Sequence, residues 1–176
     1  MTTTEATTID APPNSAPRYH WLRAALFAFA IYELLDSLTS VALLFSDDAG
    51  DFFSSVGGRI IQATIALRPL AALAVLVLAA MGRTRQAIMA MAVIVLLAWL
   101  SAMPSVVAHK PEFDNLLTGL QTVFQVVARP LLAVMAIAMA KRNERLALAT
   151  AMVCLPTLVS IIEIAAFAIG VAIYGF

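Results

Sequence analysis

The sequence predicts an all-α integral membrane protein built as a five-transmembrane-helix bundle. Three observations carry that prediction. Of 176 residues, 62% are hydrophobic and 12% charged, whereas soluble domains run near half apolar and a quarter charged. The apolar residues gather into five stretches, each long enough to cross a hydrocarbon core that needs about 20 helical residues. The breaks between them are short, so consecutive spans must run antiparallel and pack as neighbours. The expected surroundings are a lipid bilayer. With a net charge of zero, no basic field argues for nucleic acid.

Residues 1–18, MTTTEATTIDAPPNSAPR, are rich in Thr, Ala and Pro and lack periodicity. They read as a disordered cytoplasmic tail, with residues 19–176 forming the membrane domain. No basic region opens the chain, and the first apolar stretch carries Glu33 and Asp36. That stretch is therefore expected to stay as span 1 rather than be cleaved as a signal. Span 1 lies near 20–46 and ends at the polar run SDDAGDFFSSVGG. Span 2, near 57–81, ends at GRTR. Span 3, near 86–107, ends at AHKPEFD. Span 4, near 115–140, ends at KRNER, and span 5 covers 146–175. Span 5 is longer than a crossing requires, so it is expected to tilt or to stand partly in the interface.

Lys and Arg set orientation. Arg18 and Arg23 flank the start of span 1, Arg83 and Arg85 follow span 2, and Lys141, Arg142 and Arg145 follow span 4. The loop after span 1 is acidic (Asp47, Asp48, Asp51), and the loop after span 3 holds only Lys110. All strong basic clusters share one side if the N-terminus is cytoplasmic, which puts the C-terminus outside. Tyr19 and Trp21 at one end, with Phe52, Phe53 and Tyr174 at the other, suit interfacial belts. No Asn-x-Ser/Thr site occurs and the loops are minimal, which points to a bacterial inner membrane.

Two stretches match: IALRPLAALAVLVLAAMGRTRQAIMAMAV (65–93) and VVARPLLAVMAIAMAKRNERLALATAMV (126–153), with a one-residue slip in the basic loop. Each reads as an Arg-Pro-Leu helix, a basic turn and a returning helix rich in Ala, Met and Val. Spans 2–3 and 4–5 are thus expected to be a tandem helical-hairpin repeat. A shorter match sets IYELLDSLTSVALL (31–44) beside IIEIAAFAIGVAIY (161–174) and aligns Glu33 with Glu163.

Five charges fall within a few turns of the midplane: Glu33, Asp36, Arg68, Arg129 and Glu163. Each costs about 2.5–3.5 kcal/mol at a helix centre. Five facing lipid unpaired would cost on the order of 12–17 kcal/mol, comparable to the stability of a whole domain. They must face one another, water or a partner. Polar neighbours fall on the same stripes: Thr64 with Arg68; Gln121 and Gln125 with Arg129; Thr157 and Ser160 with Glu163. Stripes at helical spacing mark the face turned to a bundle interior. Span 3 lacks such a stripe and is expected to be peripheral. Three acids face two arginines; Asp36, crowded by Glu33 one turn away, is the expected surplus acid.

Pro69 and Pro130 follow the two arginines and are expected to kink their helices. Neither can donate to the carbonyl four residues earlier, Ile65 or Val126, and lipid will not satisfy a freed carbonyl. The adjacent arginines are candidate donors.

No motif fixes a reaction. The lysines lie in loops, and His20 and His109 sit at opposite ends, away from any midplane cofactor. HExxH, CxxC and P-loop patterns are absent. Cofactor and metal sites are not expected; the acidic loop residues read as solvated charges, and Cys154 as a small apolar filler. The expected function is that of a non-enzymatic structural or accessory membrane subunit with a buried charge cluster, acting as a homo-oligomer or with a partner membrane protein. The alternative is a small transporter or channel that uses the midplane charges to bind an ion, proton or small polar solute.

Overall fold

The structure, a computed structural model, describes residues 20–45, 53–109 and 116–175. The tail expected over 1–18 and the loop residues Asp47, Asp48, Asp51, Lys110, Glu112 and Asp114 lie outside these. Every described secondary-structure element is helical. Helix α1 (His20–Val41) continues into a 3-10 turn (Ala42–Phe45), and α2 is Val56–Ala80. Helix α3 (Thr84–His109) follows. Helix α4 (Leu116–Val123), a π-helical turn (Phe124–Ala128) and α5 (Arg129–Arg142) run on as one rod, and α6 is Leu146–Tyr174. These make five helical rods long and apolar enough to cross a membrane, at the five places the sequence predicts; α4 to α5 form span 4 and α6 forms span 5.

Span 3 is the centre of the bundle, which corrects the expectation that it is peripheral. It packs against spans 1, 2, 4 and 5, and Ala87, Ile88, Met91, Ala92, Ile94 and Val95 are buried. The physical reason is its lack of a polar stripe. A helix apolar all round is as suited to a core as to lipid, and its small Ala residues let four neighbours approach. The outside of the bundle is apolar too: Leu70, Leu73, Val77, Leu131, Val134 and Ile162 are all exposed. A soluble monomer rarely presents such continuous apolar cover. Trp21 and Tyr174 are exposed near opposite ends, but Phe53 turns inward and is buried, so it does not serve the outer aromatic belt expected of it.

The two helical hairpins share their details. Span 2 ends with the amide of Gly82 donating to the Ala79 carbonyl and that of Arg83 to Leu78. Span 4 ends with Asn143 donating to Ala140 and Glu144 to Met139. Gly82 (φ 75°) and Asn143 (φ 57°) both take the left-handed conformation, as this kind of cap requires. The next helix opens with Ala87 donating to Arg83 in one hairpin and Ala149 to Arg145 in the other. The extra residue of the second hairpin falls between these two sets of bonds, where Arg145 is also left-handed (φ 45°). Buried positions keep step on both sides of the slip. Ala72, Val75 and Ala79 correspond to Ala133, Ala136 and Ala140; Ala87, Ile88, Met91 and Ala92 correspond to Ala149, Thr150, Val153 and Cys154.

Packing is uneven along span 5. Its first half is buried against spans 1, 3 and 4. Beyond it, Ile162 to Ile169 are exposed without interruption, and a side chain at Gly170 would meet nothing within 4 Å.

Candidate functional site

Glu33, Arg68, Arg129 and Glu163 each lie about 11–12 residues, or roughly 17 Å of helix, from the end of the bundle opposite the basic turns. Antiparallel spans of similar length bring them to one level. Arg68 Nη2 donates to Glu33 Oε2 at 2.8 Å and to Asp36 Oδ2 at 2.8 Å. One nitrogen thus bridges two carboxylates a helical turn apart on span 1. Thr157 Oγ1 on span 5 donates to the other oxygen of Glu33 at 2.8 Å. Spans 1, 2 and 5 are tied through one carboxylate whose side chain is 9% exposed.

Arg129 has a different environment. Its Nη2 reaches Ser160 Oγ at 3.3 Å, and its guanidinium stands 5.9 Å from the centre of the Phe124 ring, within cation–π range. Among the described residues it forms no ion pair. The Nε atoms of both Arg68 and Arg129 are buried without a hydrogen-bond partner among the described residues. Glu163 is exposed and accepts from Gln121 Nε2 at 3.1 Å; it too has no ion pair among the described residues. Asp36 is thus paired, contrary to expectation: two acids share Arg68, while Arg129 and Glu163 each stand without an ion pair among the described residues. Asp36 reaches Arg68 because it sits on the same face of span 1 as Glu33, and one guanidinium nitrogen lies between them.

These groups border a cavity of about 410 Å³ lined by Tyr32, Glu33, Asp36, Arg68, Arg129 and Glu163, with Gln125, Thr157 and Ser160 among the other wall residues. Two polar residues expected in the lining are not in it. Thr64 is buried and turns its hydroxyl back to the Ile61 carbonyl at 2.7 Å, a local bond open to any helical threonine. Gln121 is exposed and meets Glu163 at the edge. Among the described residues no group of three His, Cys, Asp or Glu is placed to hold a metal ion.

The two prolines are accommodated differently. Pro69 lies inside the continuous helix α2. Pro130 follows a π-helical turn, closed by the Arg129 amide donating to Phe124. The carbonyl that Pro130 frees, Val126, accepts from Trp99 Nε1 at 3.0 Å. That donor is an indole on span 3, not the neighbouring arginine. The sequence held one signal for it: an indole N–H inside an apolar span needs an acceptor.

The chain matches no family model, no curated protein and no solved structure.

Proposed function

We propose that this chain is a non-enzymatic accessory subunit of a bacterial inner membrane, with the basic turns in the cytoplasm and the end of span 5 outside. In this reading the Glu33–Arg68–Asp36 triad with Thr157 fixes the order of spans 1, 2 and 5, and the matching turns and buried positions of the two hairpins reflect a tandem repeat. Span 5 then docks against a helix of another membrane protein. The observation that carries the reading is Glu163: an exposed acid at mid-depth with no ion pair among the described residues, on a stretch of span 5 that is exposed from 162 to 169. An unpaired charge at that depth costs about 2.5–3.5 kcal/mol, which a basic side chain on a partner helix would offset. A second copy of this chain would bring another Glu163 to the same seam, so the complementary charge belongs to a different chain.

A photo-crosslinking residue at Phe167, in native membranes, tests this. The expected product joins the chain to a second membrane protein and is lost with Glu163→Gln. A chain that crosslinks only to lipid, or to a second copy of itself, refutes it.

One observation favours a second reading. The cavity of about 410 Å³ is within the usual size of a small-molecule site, and Arg129 borders it without a carboxylate partner. A small anionic or zwitterionic solute would complete Arg129 as a partner helix completes Glu163. Saturable solute uptake by vesicles that contain only this chain, abolished by Arg129→Gln, would favour transport.

A further inference from the structure

The basic end of the bundle holds a second cavity, of about 520 Å³, between the two hairpin turns and the start of span 1. His20, Arg23, Arg83 and Arg85 line it together with Gly82, Thr84, Gln86, Asn143 and Leu146, and no acidic residue is among them. Its charge is strengthened by the way the helix ends meet there. Two arginines already cover carbonyl ends: Arg23 donates from Nε to Ala79 at 3.1 Å and from Nη2 to Ala80 at 3.0 Å, and Arg85 Nη2 donates to the Lys141 carbonyl at 2.6 Å. The partial negative charges of spans 2 and 4 are thus masked. Span 3 points its N-terminus at the same space. Thr84, Arg85 and Gln86 form its first turn, where amides have no acceptor within the helix, and all three residues line the cavity.

A helix start alone does not make a site, but Thr84 adds an independent sign. It is only 9% exposed, it lines the cavity, and its hydroxyl has no hydrogen-bond partner among the described residues. The hydroxyl is not one of the atoms closed off from solvent, so it opens on the cavity and is free to donate there. Guanidinium groups, a hydroxyl and free amides around one space are the donor set that phosphate oxygens take. A shallower groove of about 300 Å³ shares His20 and Arg23 with the cavity and runs on past Ala24, Phe27, Ala79 and Ala80. Its apolar walls lie between spans 1 and 2, on the face turned to lipid.

We propose that this cavity binds the phosphate of an anionic phospholipid headgroup, with an acyl chain lying along the groove between spans 1 and 2. Basic pockets between helices at the cytoplasmic level suit such headgroups. The inference rests on the membrane reading of the fold and is independent of any partner at Glu163.

Native mass spectrometry of the purified full chain tests it. Phosphatidylglycerol, phosphatidylcholine and inorganic phosphate are added separately to delipidated protein, and phosphate is also added against bound lipid. The expected result is a phosphatidylglycerol adduct that is retained about tenfold better than phosphatidylcholine and persists in excess inorganic phosphate. Loss of one charged hydrogen bond is worth roughly tenfold in affinity. Arg83→Gln should therefore weaken the adduct about tenfold and Arg83→Lys less. Thr84→Val should weaken it severalfold with no change of charge. Arg142→Gln with Arg145→Gln, which removes two charges from the same end but outside the cavity, should leave it unchanged. Equal loss in that control would make the binding a general surface effect and overturn the site. Ready displacement by inorganic phosphate would make it a phosphate site and overturn the lipid assignment. Should Arg83→Gln fail to fold, Thr84→Val decides, and an unchanged adduct there counts against the proposal.

Discussion

Removing Arg68 should destabilise the bundle more than any other single charge change, and the structure says by how much and through which partner. Glu33 lies between three spans with its side chain 9% exposed, and the Asp36 side chain is 37% exposed. Arg68→Gln leaves Glu33 with Thr157 as its only hydrogen-bond donor among the described residues. Breaking a buried pair by deleting one partner costs about 3–5 kcal/mol, because the remaining charge is uncompensated. Asp36 loses the same nitrogen and adds to that cost. Against a total stability of roughly 5–15 kcal/mol, Arg68→Gln should lower the midpoint of thermal unfolding on the order of 10 °C and cut folded yield sharply.

Two companion variants make the reasoning falsifiable. Arg68→Gln with Glu33→Gln removes the stranded charge along with its cause, so it should recover about 2–3 kcal/mol relative to the sum of the single changes, the upper range for residues in direct contact. Arg68→Lys should lose less than half as much as Arg68→Gln. Both carboxylates are held by the single nitrogen Nη2, and a point charge can replace one nitrogen where it could not replace a two-nitrogen fork. The assay is fluorescence-detected size exclusion of detergent-solubilised protein after a temperature series. A double variant no better than the sum would remove the triad as the lock. A lysine variant as damaged as the glutamine variant would mean that the reach or plane of the guanidinium matters, not its charge.

Other perturbations follow from the same geometry. Trp99→Phe should cost about 1–2 kcal/mol by stranding the Val126 carbonyl, and Pro130→Ala in that background should restore most of it, because residue 130 regains an amide for that carbonyl; the same thermal series reads both. Gly82→Ala should cost about 1–2 kcal/mol, since Gly82 has φ 75° and a Cβ there is strained; proteolysis of the hairpin turn should rise in step. A periplasm-active reporter should be active when fused after Phe176 and inactive at Arg83–Arg85; the reverse pattern would overturn the orientation argument.

The number of helices, their bounds and the common depth of the charges were legible in the sequence, because apolar length and 1.5 Å per residue are local properties. Pairing was legible only by elimination. The charge count required acids to meet arginines, but helix rotation decides which acid meets which arginine, and rotation depends on all neighbours together. Asp36 looked like the odd acid because Glu33 repels it; in the fold that same proximity lets both share Arg68. Span 3 was misjudged for a related reason. Absence of polar residues separates neither core from lipid, and only the small Ala side chains of its buried face, Ala87 and Ala92, hinted at close neighbours on every side.

The two Arg-Pro-Leu sites show how like sequences reach unlike ends. In the first hairpin, span 1 lies alongside and supplies Glu33 and Asp36, so the guanidinium is saturated by carboxylates and α2 carries Pro69 without a π turn. In the second hairpin no carboxylate among the described residues forms an ion pair with Arg129. Arg129 meets Ser160 and an aromatic face, the helix before it takes a π turn, and Trp99 covers the opened carbonyl. Span 5 is exposed from residue 162 to 169, and Glu163 there meets Gln121 rather than a cation among the described residues. A helix supplied in trans beside span 5 would meet this deficit with one basic residue, since the three acids and two arginines at this depth carry one negative charge in excess. Reversing the charge separates that account from simple apolar docking. Glu163→Lys should abolish the Phe167 crosslink, whereas Glu163→Gln with apolar docking alone would strengthen it by removing a buried charge. A stronger crosslink in the glutamine variant would therefore refute charge pairing while leaving the seam itself in place.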